Sequence, residues 1–166
     1  VANDQGQANF LYHNNQDGTF DRIETFLDNA SLNSFSVIAA DFNSDLKIDL
    51  FQTTRGNESN QLFFNTTENA NRAVLVNRAA IGARIELTAT INGTFITQSR
   101  QINSLSGGGV GGQSPLLQHF GLGDADLIES ITIYWPSGQI QTLDDIDFLE
   151  DPMLTFTEPQ ANRLYG

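Results

Sequence analysis

Residues 39–54 read AADFNSDLKIDLFQTT, and the reading of the whole chain turns on them. Asp41, Asn43 and Asp45 alternate at i, i+2 and i+4, and Asp49 follows at i+8. A loop with this spacing can fold its side-chain oxygens around one point, with the Lys47 carbonyl filling the remaining gap. Hard oxygen donors that include several carboxylates suit Ca²⁺, which accepts irregular geometry where Mg²⁺ demands a near-ideal octahedron. Without a cation, acidic groups this close repel one another. The expected metal ligands are therefore Asp41, Asn43, Asp45, Lys47 through its carbonyl, and Asp49, with Ca²⁺ as the cofactor. A solvated acidic turn is the competing reading. Asp49 favours the cation, because an apolar strand follows it directly, as in a loop between stacked strands. One position departs from the pattern. The sixth residue, where a sharp turn wants glycine, is Leu46, and leucine in the left-handed region costs on the order of 1 kcal/mol. Either the site is weakened or the turn differs.

Outward from this loop, helical periodicity is hard to find. Short alternating or apolar runs bounded by Gly, Asn or Asp give the all-β pattern. Strands are expected at Phe10–His13, Thr19–Ile23, Ser36–Ala40, Ile48–Thr53 and Gln61–Asn65. Further strands are expected at Ala73–Val76, Ala83–Ile91, Thr94–Ile102, Leu116–Phe120, Glu129–Trp135, Gln139–Leu143 and Leu154–Thr157. Asn92-Gly93 between two long runs predicts a type I′ hairpin, and Ser137-Gly138 after Trp135-Pro136 predicts another turn. SGGGVGGQS (106–114) is too rich in glycine for regular structure. The first part also holds an imperfect repeat. Residues 2–20 and 52–70 share a polar Gly-containing turn, an Asn, a short strand and a second polar turn, with Asn9 and Asn60 51 residues apart. One such unit cannot hide its apolar face alone, so one and a bit repeats imply stacking on neighbours or truncation.

Charge divides the chain in the same place. The formal total is −12, from 20 acids and eight bases. Residues 1–70 carry −7, residues 71–123 carry +3 and residues 124–166 carry −8. An acidic surface excludes nucleic acid and anionic membrane as partners, because both are themselves negative. No apolar run is long enough to span a membrane. Cysteine is absent, which removes disulfides, thiolate metal sites and cysteine nucleophiles. A chain starting at Val1 without a signal peptide is read as a mature or excised piece.

AADFNSDLKIDLFQTT resembles the calcium loop of FG-GAP or VCBS repeats, whose pattern is Asp-x-Asn-x-Asp-Gly-x-x-Asp-Leu. NNQDGTF (14–20) is similar to the turn that ends such repeats, and Val1-Ala2-Asn3-Asp4 to the tail of a preceding one. NRAAIGARIEL (77–87) and HFGLGDADLIESITIYWPSGQIQTL (119–143) resemble the ASPIC/UnbV domain, with IGAR, HFGLG and WPSG in the family's order. This resemblance implies propeller-type blades over residues 1–70 and an ASPIC/UnbV module, read as β-sandwich-like, over residues 71–166. It also implies extracellular, calcium-dependent, adhesive or matrix-associated behaviour, with an unidentified protein or glycan at the cell surface or matrix as partner.

The remaining residues are weighed against bland alternatives. His119 is expected to bond a loop backbone, since the only other histidine, His13, is far away in sequence. Trp135 ends the alternating run Ile131-Ile133-Trp135 and is expected to cap the core, against an exposed platform for sugar. Asp144, Asp145, Asp147, Glu150 and Asp151 lack loop spacing and read as a solvated face. No serine elbow, HExxH or phosphate loop is present, and no carboxylate pair stands out from surface charge. Sequons occur at Asn29, Asn57, Asn65 and Asn92. The sequence thus predicts a non-enzymatic, calcium-binding extracellular interaction module. A carbohydrate-binding or carbohydrate-active protein and a self-associating structural unit are the alternatives.

Overall fold

A computed structural model describes residues 1–3, 5–15, 17–25, 33–77, 80–104 and 115–159. The whole Gly-rich stretch 106–114 and the sequon at Asn29 lie outside the described residues. Regular structure among the described residues is entirely strand: β1 (Leu11–Asn14), β2 (Phe20–Ile23), β3 (Ser34–Ala40), β4 (Asp49–Thr54), β5 (Gln61–Phe63) and β6 (Arg72–Asn77) come first. They are followed by β7 (Arg84–Ile91), β8 (Thr94–Gln101), β9 (Gln118–Gly123), β10 (Ile128–Tyr134), β11 (Ile140–Ile146) and β12 (Met153–Thr155).

The first part forms two small open sheets. Among the described residues β1 pairs only with β2, and β3-β4-β5 make a three-stranded antiparallel meander. Neither closes, so these are partial blades. The internal repeat proves structural. Asn9 accepts the N–H of Asn3 on its side-chain oxygen at 2.8 Å, and Asn60 accepts that of Thr54 at 3.0 Å, the same bond displaced by 51 residues. The turns obey the same offset, since Gln5 and Gly56 both have left-handed φ, at 61° and 75°. The two Asn residues differ in what lies beyond them. Asn9 is buried and donates to Ser34 Oγ at 2.9 Å and Gln52 Oε1 at 2.8 Å, which ties the first unit to the second. Asn60 is exposed.

The second part is a sandwich. Its sheets are β11-β10-β7-β8 and β12-β6-β9, with β12 joining β6 in parallel. Alternation along β7 and β10 sends Ile85, Leu87, Ala89, Ile131 and Ile133 into one core, where they meet Val74, Val76, Phe120 and Leu122 of the other sheet. β6 departs from alternation: Ala73, Val74, Leu75 and Val76 are all buried. A strand buried on four successive positions is covered on both faces, and the outward face carries Ala73 and Leu75. The Asn92-Gly93 turn joins β7 to β8 with φ of 49° and 73°, as a type I′ hairpin requires.

Several expected strand ends shift by one to three residues. β9 runs from Gln118 to Gly123, later than expected, because β6 supplies a pairing partner across the two glycines and overrides their poor strand propensity. β11 extends to Ile146 because Ile128 and Ser130 of β10 still offer ladder partners beside Ile146 and Asp144. No described helix is long and apolar enough to cross a membrane.

Candidate metal site

The loop of residues 41–48 closes the β3–β4 hairpin, whose last pair is Ala40 with Asp49. Asp41 organises it. Its carboxylate accepts the N–H groups of Ser44 at 2.7 Å, Asp45 at 3.2 Å and Leu46 at 2.9 Å. Gathering three amides on one carboxylate bends the backbone sharply, and Ser44 and Leu46 both take left-handed φ, at 64° and 65°. The turn therefore forms as glycine would form it, with leucine in the strained position. Asn43 and Asp45 lie side by side, with the Asn43 amide donating to Asp45 Oδ2 at 3.1 Å. Asp45 Oδ1 accepts the Lys47 N–H at 2.9 Å, and this bond chiefly lowers the Asp45 carboxyl below its usual value of 3.8, with help from Asn43 and the Lys47 charge.

Asp49 plays a different part. It is fully buried, and its two oxygens accept the N–H groups of Phe42 at 2.9 Å and Asn65 at 2.8 Å. It thus pins the entrance of the loop to the chain leaving β5. Among the described residues, no three His, Cys, Asp or Glu side chains converge as a ready-made metal cage. The donor set nonetheless fits a hard cation, being oxygen throughout. Each carboxylate offers about four lone-pair sites, so accepting amides does not exhaust Asp41, Asp45 or Asp49. In such a site Asp41, Asn43 and Asp45 would hold the ion from the loop, with the Lys47 carbonyl and Asp49 completing the set. A bound ion would supply positive charge to neutralise three carboxylates, not a reactive centre.

The second module touches this loop. His119 lies on the outward face of β9, paired with Leu75 of β6, and its Nε2 reaches the Leu46 carbonyl at 2.8 Å. A carbonyl only accepts, so Nε2 carries the proton and donates. Two clefts flank the contact. One of about 430 Å³ is lined by Asp41, Phe42, Ile48, Leu75, Arg100 and His119 among others. One of about 240 Å³ runs past Asp45, Leu46, Lys47, Arg72, Ala73 and Phe148.

The backbone role expected of His119 is thus met, with a partner 73 residues away that no local pattern points to. Trp135 is 4% exposed and belongs to the sandwich core, so it is not a sugar platform. Asp144, Asp145, Asp147, Glu150 and Asp151 are all exposed. Sequence reasoning gave no role to Arg100, whose guanidinium lies over the Phe120 ring and is bonded to Ser99 O and Gln98 Oε1. Burial pushes its pKa below the usual arginine range.

Partial blades with an acidic hairpin loop, followed by a two-sheet sandwich, define a blade-plus-module architecture. Comparison with protein-family models assigns both parts. Residues 1–52 match an FG-GAP-like repeat, and residues 74–163 match ASPIC and UnbV. The second match covers more than half of the chain, which belongs to the ASPIC and UnbV family. A search of curated proteins found no match.

Proposed function

We propose that this chain is a non-enzymatic, calcium-binding module that works outside the cell, in adhesion or matrix interaction. The observation that carries the reading is the 41–49 loop itself. Its turn is preorganised by Asp41, its far end is anchored by buried Asp49, and Asn43 and Asp45 lie together between them. The FG-GAP-like match includes all of these residues. Thermal denaturation with Ca²⁺ and with chelator tests the proposal. Ca²⁺ at 100 times its dissociation constant should add about 2.7 kcal/mol of stability, and Asp45→Ala should behave with Ca²⁺ as the parent behaves in chelator. A parent whose melting temperature ignores Ca²⁺ sinks it.

A second reading, self-association, is favoured by one feature. The open blade sheets expose Leu11, Tyr12, Phe20, Ile23 and Leu62, and Phe64 is exposed just past β5. Open strand edges flanked by apolar side chains invite pairing with another blade. Light scattering across protein and Ca²⁺ concentration distinguishes the two, and a monomer at every concentration rejects self-association.

A further inference from the structure

We propose that His119 is a positioning residue for the calcium loop, holding Leu46 where the repeat pattern uses glycine, so that the sandwich module completes the loop. The proposal rests on the calcium reading above and adds a requirement that reading does not contain. Leu46 is the sixth residue of the loop and has φ of 65°. An unrestrained leucine avoids this conformation, because its Cβ crowds the following carbonyl. Both of its backbone groups are held. The N–H is bonded to Asp41 Oδ2 at 2.9 Å, inside the loop, and the carbonyl to His119 Nε2 at 2.8 Å, from outside it.

The outside bond comes from a firm base. His119 is flanked in β9 by Phe120, which is fully buried in the sandwich core, and faces Leu75 across the β6–β9 ladder. The loop is therefore braced against a strand whose opposite face lies in the sandwich core. Ala73 and Leu75, buried on the outward face of β6, line the clefts on either side of the contact. This explains how a repeat with leucine at the glycine position retains the left-handed turn. It also makes the cation affinity of the blade a property of both parts of the chain.

When binding needs a conformation that is only partly populated, the apparent dissociation constant rises by the inverse of that fraction. Losing one brace on a left-handed leucine should therefore weaken Ca²⁺ binding about five-fold. The test is calorimetric Ca²⁺ titration of the full chain and of His119→Ala, Leu46→Gly, the double variant and His119→Gln. His119→Ala should bind about five-fold more weakly. Leu46→Gly should bind at least as tightly as the parent, and adding His119→Ala to it should cost much less than in the parent. His119→Gln, which keeps a side-chain N–H, should recover part of the loss. Equal weakening by His119→Ala in both backgrounds would mean that the histidine does not act through Leu46, and overturns the proposal. So does parent-like binding by His119→Ala, which leaves the calcium reading intact. A parent that takes up no Ca²⁺ removes both. If His119→Ala does not fold, His119→Gln in the parent and in the Leu46→Gly background decides: a loss smaller than about five-fold that disappears in the Leu46→Gly background supports the proposal, and no loss in the parent or an equal loss in both backgrounds refutes it.

Discussion

Asp49→Asn keeps the size of a buried side chain and removes one of its two acceptor oxygens. In the parent, Oδ1 holds the Asn65 N–H at 2.8 Å and Oδ2 the Phe42 N–H at 2.9 Å, with Asp49 only 1% exposed. An asparagine amide satisfies one of these donors and turns an NH₂ toward the other. A hydrogen bond to a charged acceptor is worth roughly 1.5–3 kcal/mol, and the abandoned buried N–H adds to that loss. A central value of about 2 kcal/mol corresponds to about 4–8 °C in melting temperature for a chain of this size. The measurement is a melt of both proteins in chelator, where no ion contributes, with amide exchange at residues 42 and 65 followed in parallel. Both the shift and faster exchange at one of the two amides are expected. Melting within about 0.5 kcal/mol of the parent would refute the claim that Asp49 pins the loop. Repeating the melts with Ca²⁺ separates the second role of Asp49, because the variant should also gain less from the ion than the parent does.

Three further outcomes follow from other bonds. Asn9→Ala deprives the Asn3 N–H and Gln52 Oε1 of their partner and should cost about 2–4 kcal/mol, whereas Asn60→Ala, at the exposed repeat position, should cost under about 1 kcal/mol; equal costs in denaturant titrations would count against the inter-unit tie. Trp135→Ala should cost about 3–5 kcal/mol by cavity formation, while Trp135→Phe should cost far less, because the buried indole N–H has no hydrogen-bond partner among the described residues to lose; a reversed order would contradict the core assignment. The Glu129 carboxyl is lowered from 4.5 mainly by the Thr90 hydroxyl, with the Thr90 N–H assisting. Its folded value is depressed, so its stabilisation is complete above about pH 4.5 and is lost as pH falls through the folded value. An NMR midpoint below 4.5 that rises in Thr90→Val is expected, and a midpoint at or above 4.5 in the parent would reject the bond.

The strands were legible because their signals are local. Alternation in Ile85, Leu87 and Ala89, or the Asn92-Gly93 dipeptide, needs no knowledge of what packs opposite. The 51-residue repeat was equally open to inspection, down to the Asn that holds each turn. The ends of β9 and β11 were not, because partner strands set them. The candidate loop divides in the same way. Asp41, Asn43 and Asp45 announce themselves by spacing, and Leu46 by breaking it. That Asp49 binds the amide of Asn65, 16 residues on, depends on the course of the chain after β5. That His119 meets Leu46 depends on which face of a different sheet turns toward the blade. Spacing finds groups that one loop gathers, and only packing finds those gathered from elsewhere.

The family boundaries sharpen this point. The FG-GAP-like match ends at residue 52 and the ASPIC and UnbV match begins at residue 74. Two anchors of the 41–49 loop lie outside the repeat match: Asn65 in the connecting stretch and His119 in the module. Cutting between the matched regions would separate His119 from Leu46, leaving the left-handed leucine with its Asp41 bond alone. Within the first part the units are tied together by Asn9, which bonds Ser34 and Gln52. At the 41–49 loop the neighbour is a sandwich. The support it offers is instead a histidine on the outer face of a strand whose inner face is core. The module thus reaches the loop through that histidine. Arg72 and Arg84 of the module pair with its own Asp126 and Glu86, so neither is drawn toward the loop carboxylates.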